Sequence, residues 1–148
     1  MNEAIIRNHN SRVKPEDICF HLGDFCFRNT SDAKGEGIRT KAEEWEAQLN
    51  GKIIHIAGNH DKNNGVPKII QGMLIEYHKH KVYMVHKPEH HNPAYDINFV
   101  GHVHQNWAIK RVDGITLLNV GVDVNKFMPI NFSEALSKIN KYKIRGVI

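Results

Sequence analysis

Residues 53–62 read IIHIAGNHDK: an apolar, β-branched run stops at Gly58 and gives way to Asn59, His60 and Asp61 in succession. The run 53–57 is short and rich in isoleucine, so it is expected as a buried strand that ends at the glycine. In an open α/β sheet the carboxyl ends of strands frame the crevice where ligands bind, because the backbone turns there and side chains converge. Asn59, His60 and Asp61 are placed for that role. Against it stands a plain polar turn in which Asn59 or Asp61 caps the segment that follows.

Working outward, residues 3–13 carry Ala4, Ile5, Ile6 and Val13 at helical spacing, closed by Pro15. Residues 17–23 (DICFHLG) read as a short apolar strand that delivers Gly23-Asp24. After a polar loop with Gly35 and Gly37, residues 38–49 are expected as a helix with Ile38, Ala42, Trp45 and Leu49 on one face, stopped by Asn50-Gly51. Strand, helix, strand in this order predicts a parallel pair with a right-handed crossover. Further on, the pattern predicts a short helix over 67–72, strands over 73–77 and 81–86 joined by a tight basic turn, and a proline-flanked loop over 87–95. A strand over 96–100 ends at Gly101, a hairpin pairs 107–112 with 115–120 about Asp113-Gly114, and a helix over 131–143 starts with Ser133 as its cap. The result is one mixed α/β domain over 1–148.

Composition narrows the function classes. The chain has 148 residues, 41% hydrophobic and 24% charged, with no apolar run of membrane-spanning length and no leader-like start, so a cytoplasmic protein without a membrane partner is expected. Cys19 and Cys26 are read as reduced. A net charge of +4 suits an anionic substrate such as a phosphate ester. Nucleic acid stays open as a partner but is not indicated, since no dense basic or aromatic-basic run occurs. The more telling number is 11 histidines, because imidazole is the commonest metal ligand and a frequent acid or base.

Laid side by side, the strand ends carry Asp24, then Asn59-His60-Asp61, then His86, then His102 and His104. Oxygen and nitrogen donors without cysteine favour a divalent Mn, Fe, Zn, Co or Ni ion. In an extended chain His102 and His104 would point to one face and reach two metals side by side. Ions roughly 3.5–4 Å apart polarise a phosphoryl group and activate water in phosphatases and nucleases.

Gly23-Asp24, Gly58-Asn59-His60-Asp61, the strand-end His86 and Gly101-His102-Val103-His104 together resemble the ordered motifs of the calcineurin-like metallophosphoesterases. The surrounding LNGKIIHIAGNHD, VHKP and NVGVDVNKFMPINFSEAL resemble the small bacterial and phage members, so the likeness covers nearly the whole chain. The resemblance implies Asp24 as a bridging carboxylate, Asn59, His86 and His102 completing the second metal site, and His104 on the first metal. It implies His60 as the acid that protonates the leaving oxygen or steadies the transition state, while a metal-activated hydroxide attacks phosphorus in line. Asp61 is expected to orient His60 or the loop.

One departure bears on all of this. Family members open with a strand ending in Asp-x-His, which supplies two ligands of the first metal; only 23 residues precede Asp24 here, they read as helix then strand, and they hold no Asp-x-His. Three explanations stay open: a first strand lost by truncation or a misassigned start, a natural short form with one metal at the second site, or a strand supplied by a neighbouring chain. The expected fold is therefore α/β, a metallophosphoesterase-like sandwich of mixed β-sheets flanked by helices and lacking the usual first strand. The unpaired edge would favour self-association, so a homo-oligomer or a poorly stable monomer is expected. The expected function is hydrolysis of a small phosphomonoester or phosphodiester, weakened by the absent motif, with one or two ions. The alternative is a weak or inactive relative that binds phosphate, a nucleotide or a partner protein.

The remaining candidates have plainer readings. His9 is expected as a solvated helix residue, His78 and His80 as surface turn residues, His90 and His91 as loop residues, and His21 and His55 as satisfied core histidines. Asn119 and Asp123, in NVGVD, end another strand, with Asn119 a candidate for support of the ligands. Phe27 occupies a place where some phosphatases of the resembled family carry an acidic partner for the catalytic histidine, which puts a His-Asp dyad in doubt.

Overall fold

The computed structural model describes residues 2–26 and 40–146. Along the chain lie α1 (Asn2–Arg12), β1 (Ile18–His21), α2 (Ala42–Glu46), β2 (Lys52–His55), β3 (Met73–Tyr77), β4 (His80–Val85), β5 (Ile97–Val100), β6 (Ile109–Val112), β7 (Ile115–Asn119) and α3 (Phe132–Ile144). Two one-turn 3-10 helices, Pro88–His90 and Val122–Val124, sit in the loops after β4 and β7. The fold is α/β. None of the described helices is long and apolar enough to cross a membrane.

β1 and β2 pair in parallel, with Ile18 opposite Lys52 and His21 opposite His55. The larger sheet has the order β3-β4-β5-β7-β6, in which β4, β5 and β7 run parallel and the two outer strands run antiparallel to their neighbours. Every residue of β5 and β7 is buried, which is why INFV and ITLLN read as apolar runs rather than alternations. Leu22, Ile56, Val82, Met84, Phe99 and Leu118 form the main core with Ala135 and Ile139 of α3, so one core joins both sheets and the last helix. Val85, Val100, Ile115 and Leu117 form a second cluster, with Tyr83, Trp107 and Val112 packed against it.

Both hairpins turn on two residues with positive φ, His78-Lys79 and Asp113-Gly114, which matches the right-handed twist of the flanking strands. Elsewhere the sequence reading needs correction. Residues 67–72 form no helix: Lys68 has φ 50°, outside the helical region, and Ile70 instead bridges Ile56 in parallel. The Ile70 N–H donates to His55 O at 2.9 Å and its carbonyl accepts from Ala57 at 2.7 Å, so the segment satisfies the edge of β2 that β1 does not cover.

The helix expected over 38–49 is confined, among the described residues, to Ala42–Glu46; Ile38 and the loop with Gly35 and Gly37 lie outside the described residues, as does Phe27. Glu44 accepts the Lys41 N–H at 2.7 Å, which stops the helix from extending back through Thr40. His9 is buried rather than solvated: its Nε2 lies 2.8 Å from Asn50 O, to which it donates, and Asn10 Oδ1 accepts the Asn50 N–H at 2.7 Å. Polar residues of α1 thus serve as docking contacts for the turn that precedes β2.

The cap of α3 is Asn131 and not Ser133. Asn131 Oδ1 accepts from Glu134 N at 2.8 Å, while Glu134 Oε2 accepts from Asn131 N at 3.1 Å, a reciprocal box that satisfies two otherwise orphaned donors. Arg12 of α1 pairs with the same Glu134, tying the first helix to the start of the last. Replacing Asn131 with Ala is expected to lower the unfolding free energy by about 1 kcal/mol in urea titrations, whereas Ser133→Ala leaves it nearly unchanged.

Candidate metal centre

The centre is built where β1 and β2 release their chains. Gly23 has φ 92° and Asp24 φ 55°, so the strand end folds into the left-handed region. A Cβ at Gly23 would overlap the His86 ring and the backbone of Gly58, and one at Gly58 would overlap the backbone and carboxylate of Asp24. Only glycine lets the two loops approach so closely.

Asp61 holds that approach in place. Its side chain is fully buried, and its carboxylate accepts the N–H groups of Asp24 at 2.9 Å, Phe25 at 2.8 Å and Gly58 at 2.8 Å. Asp24 reciprocates through Oδ1, which accepts the His60 N–H at 3.0 Å. A left-handed non-glycine residue such as Asp24 costs on the order of 1 kcal/mol or more, and these bonds over-determine it. Asp61 therefore serves the loops.

His86 follows β4 and is buried beneath them. Its Nδ1 lies 2.6 Å from Leu22 O, a group that can only accept, so the ring proton sits on Nδ1 and Nε2 of the neutral ring carries a lone pair. That lone pair faces Asn59 Oδ1 at 3.1 Å, Asp24 Oδ2 at 3.3 Å and His102 Nδ1 at 3.1 Å. The donor atoms of Asp24, His86 and His102 all lie within 4.8 Å of one another. His102 has φ 66°, and burial, with the charges of His86 and Lys87, pushes its imidazole below the usual range, toward the neutral form that ligates.

This donor set fits a divalent ion. Ligands about 2.0–2.2 Å from a common cation stand roughly 3.0–3.5 Å apart in octahedral or tetrahedral arrangements, the range of the three separations from His86 Nε2. Four electron-pair donors turned toward one another repel unless a proton or cation lies among them, and two nitrogens with two oxygens suit Mn, Fe, Zn, Co or Ni. Asp24, Asn59, His86 and His102, far apart in sequence, are brought together.

His104 is not in this group. The segment after β5 is not extended: His102 and His104 both have positive φ, and Val103 N donates to Gly101 O at 2.8 Å, so the expected same-face arrangement does not occur. The His104 side chain is 82% exposed, and its Nδ1 lies 3.1 Å from Asp123 Oδ2. Asn119 donates to the carbonyls of His104 at 2.7 Å and Trp107 at 2.9 Å. His60 is exposed at the rim, its carbonyl accepting from the Asn64 side chain at 2.9 Å.

Beneath the loops His21 and His55 stand side by side, ring centroids 6.0 Å apart, with Phe25 edge-on to each. His55 Nε2 meets Glu46 Oε2 at 2.9 Å, but Nδ1 of each ring is buried without a hydrogen-bond partner among the described residues, so neither is the fully satisfied core histidine expected. Burial, reinforced by His55, lowers the His21 pKa to about 4. His91 Nδ1 lies 2.9 Å from Pro88 O, and His78, His80 and His90 are exposed.

No family model matches the chain. The uncharacterized protein MJ1445 of Methanocaldococcus jannaschii is 30% identical over 152 residues, which cover 97% of this chain and 78% of that protein. Among solved structures, the protein of unknown function AQ665 from Aquifex aeolicus is similar in fold, with a TM-score of 0.63 and 23% identity over 95% of this chain and 83% of its own.

Two outcomes are expected from these contacts. Asp61→Asn replaces one acceptor oxygen with a donor facing backbone N–H groups, and a loss of about 2–4 kcal/mol in unfolding free energy is expected by chemical denaturation. Because His21 is held neutral when folded, the unfolded chain binds more protons below pH 6.5. The His21 contribution to stability of the metal-free protein is therefore level above that pH and falls by about 3 kcal/mol as pH drops from 6.5 to about 4, a slope that His21→Leu removes.

Proposed function

We propose that this chain, which belongs to the same family as MJ1445, is a metal-dependent phosphoric ester hydrolase with a fold of the calcineurin-like metallophosphoesterase type. The observation that carries the reading is the convergence of Asp24 Oδ2, Asn59 Oδ1 and His102 Nδ1 on the lone pair of His86 Nε2. When bound there, a divalent ion supplies Lewis-acid polarisation of a phosphoryl oxygen and lowers the pKa of water.

The chain's own groups do the rest. Asp24, Asn59, His86 and His102 hold the ion, and Leu22 O keeps the His86 ring oriented by accepting its Nδ1 proton. His60, anchored through its backbone to Asp24, stands at the rim where the leaving oxygen departs, and gives that oxygen a proton. The mildly basic charge of +4 favours approach of an anionic ester. A second reading, a relative that binds phosphate or a nucleotide with little turnover, is favoured by the position of His104 outside the ligand group.

Metal content after Mn loading, measured by plasma mass spectrometry, and hydrolysis of a chromogenic phosphodiester and monoester test both readings. The wild-type chain is expected to retain Mn and hydrolyse at least one ester, with EDTA abolishing turnover. Asn59→Ala and His102→Ala are expected to lose Mn and activity together, while His60→Ala keeps Mn and loses about 10²–10⁴-fold in kcat. Retained Mn with no turnover would leave the binding reading, and no metal uptake would end the hydrolase reading.

A further inference from the structure

The segment after β7 reaches back over the loop that follows β5. Asn119, the last residue of β7 and only 2% exposed, donates to His104 O at 2.7 Å and Trp107 O at 2.9 Å and accepts the Gly121 N–H at 2.9 Å. Its amide is therefore fully engaged in fixing one loop against another. The 3-10 helix Val122–Val124 then carries Asp123, whose Oδ2 lies 3.1 Å from Nδ1 of the same His104.

His104 is thus gripped twice from one short stretch, at its carbonyl by Asn119 and at its ring by Asp123. Its backbone sits at φ 46°, a conformation costing on the order of 1 kcal/mol or more for a residue with a Cβ. Its side chain is nonetheless 82% exposed, so the grip does not serve core packing. A carboxylate can only accept, so the bond places the proton of the neutral ring on Nδ1 and the lone pair on Nε2. The same device orients His86, where Leu22 O takes the Nδ1 proton.

We propose that Asp123 and Asn119 are positioning residues for His104, fixing its backbone and its tautomer so that its exposed ring presents Nε2 as a preset electron-pair donor. The functional part of this inference rests on the hydrolase reading; the tautomer does not. Nothing in the ligand group itself depends on Asp123, since Asp24, Asn59, His86 and His102 converge without it. Asp123 acts through His104 alone, and its loss separates orientation of that ring from ion binding.

The test uses the whole chain, labelled with nitrogen-15. Long-range proton–nitrogen correlation spectra of the metal-free protein at pH 8, with the His104 signals assigned by their loss in His104→Gln, read the tautomer directly. Wild type is expected to show His104 protonated on Nδ1, Asp123→Ala to move the proton largely to Nε2, and Asp123→Glu to restore Nδ1 protonation. With Mn and a chromogenic diester, Asp123→Ala is expected to lower kcat about 10–100-fold, with Mn content and KM changed less than about twofold and partial rescue by Asp123→Glu.

A wild-type His104 protonated on Nε2, or a tautomer indifferent to Asp123→Ala, overturns the proposal. So does a shifted tautomer with unchanged kcat in an active enzyme. If wild type takes up no metal and turns over no ester, the hydrolase reading and the catalytic part of the proposal fall together, and the spectra still decide whether Asp123 sets the ring. Circular dichroism matching wild type guards the Asp123 variants against trivial unfolding, and Asn119→Ala is kept as a secondary variant because that residue is buried.

Discussion

A single buried carboxylate organises the region where both sheets meet. Asp61 accepts three backbone N–H groups from two loops, and a buried carboxylate in that position is stable only because every bond comes from a donor that has nowhere else to go. The bonds explain why Gly23 and Gly58 can touch, why Asp24 tolerates its left-handed backbone, and why Asn59 emerges beside Asp24 rather than turned into solvent. Burial of His86 follows, because its ring fills the space under the joined loops and finds Leu22 O at the bottom. The geometry of the ligand group is thus inherited from backbone hydrogen bonds and glycine contacts.

Much of this was legible in residue types. Continuous apolar strands announced β5 and β7, the Asp113-Gly114 pair announced its hairpin, and strand ends bearing Asp24, Asn59, His86 and His102 announced a shared rim. What failed shares one cause, the dependence of local structure on distant partners. Residues 67–72 have enough helix-forming character to mislead, but the open edge of β2 draws Ile70 into an extended bridge. His9 looked solvated because helix patterning says nothing of Asn50, 41 residues away, which takes its ring proton. Ser133 was a plausible cap in isolation, yet the reciprocal Asn131–Glu134 box uses the donors two positions earlier.

The rim histidines show where periodicity stops being a guide. Treating GHVH as extended placed His102 and His104 on one face, but both adopt positive φ and the loop curls, so only His102 joins the ligands. No alternation rule could reveal this, because the curl is imposed by Asn119 from a different strand. Left-handed backbone occurs at Asp24, His102 and His104, and at Asp24 and His104 a hydrogen bond to the backbone of that residue holds it.

The contact between Arg12 and Glu134 spans 122 residues of chain, and Asn8 reaches the Phe127 carbonyl across 119. Seen during synthesis, this closure sets a schedule. At about 5–20 residues per second, roughly 6–25 s separate the appearance of α1 from that of the helix that receives it. Until then, among the described residues, the polar contacts of α1 are with the turn that carries Gln48 and Asn50. A helix so weakly amphipathic gains little from an apolar face of its own, so its docking is completed when the late contacts at Glu134 and Phe127 arrive.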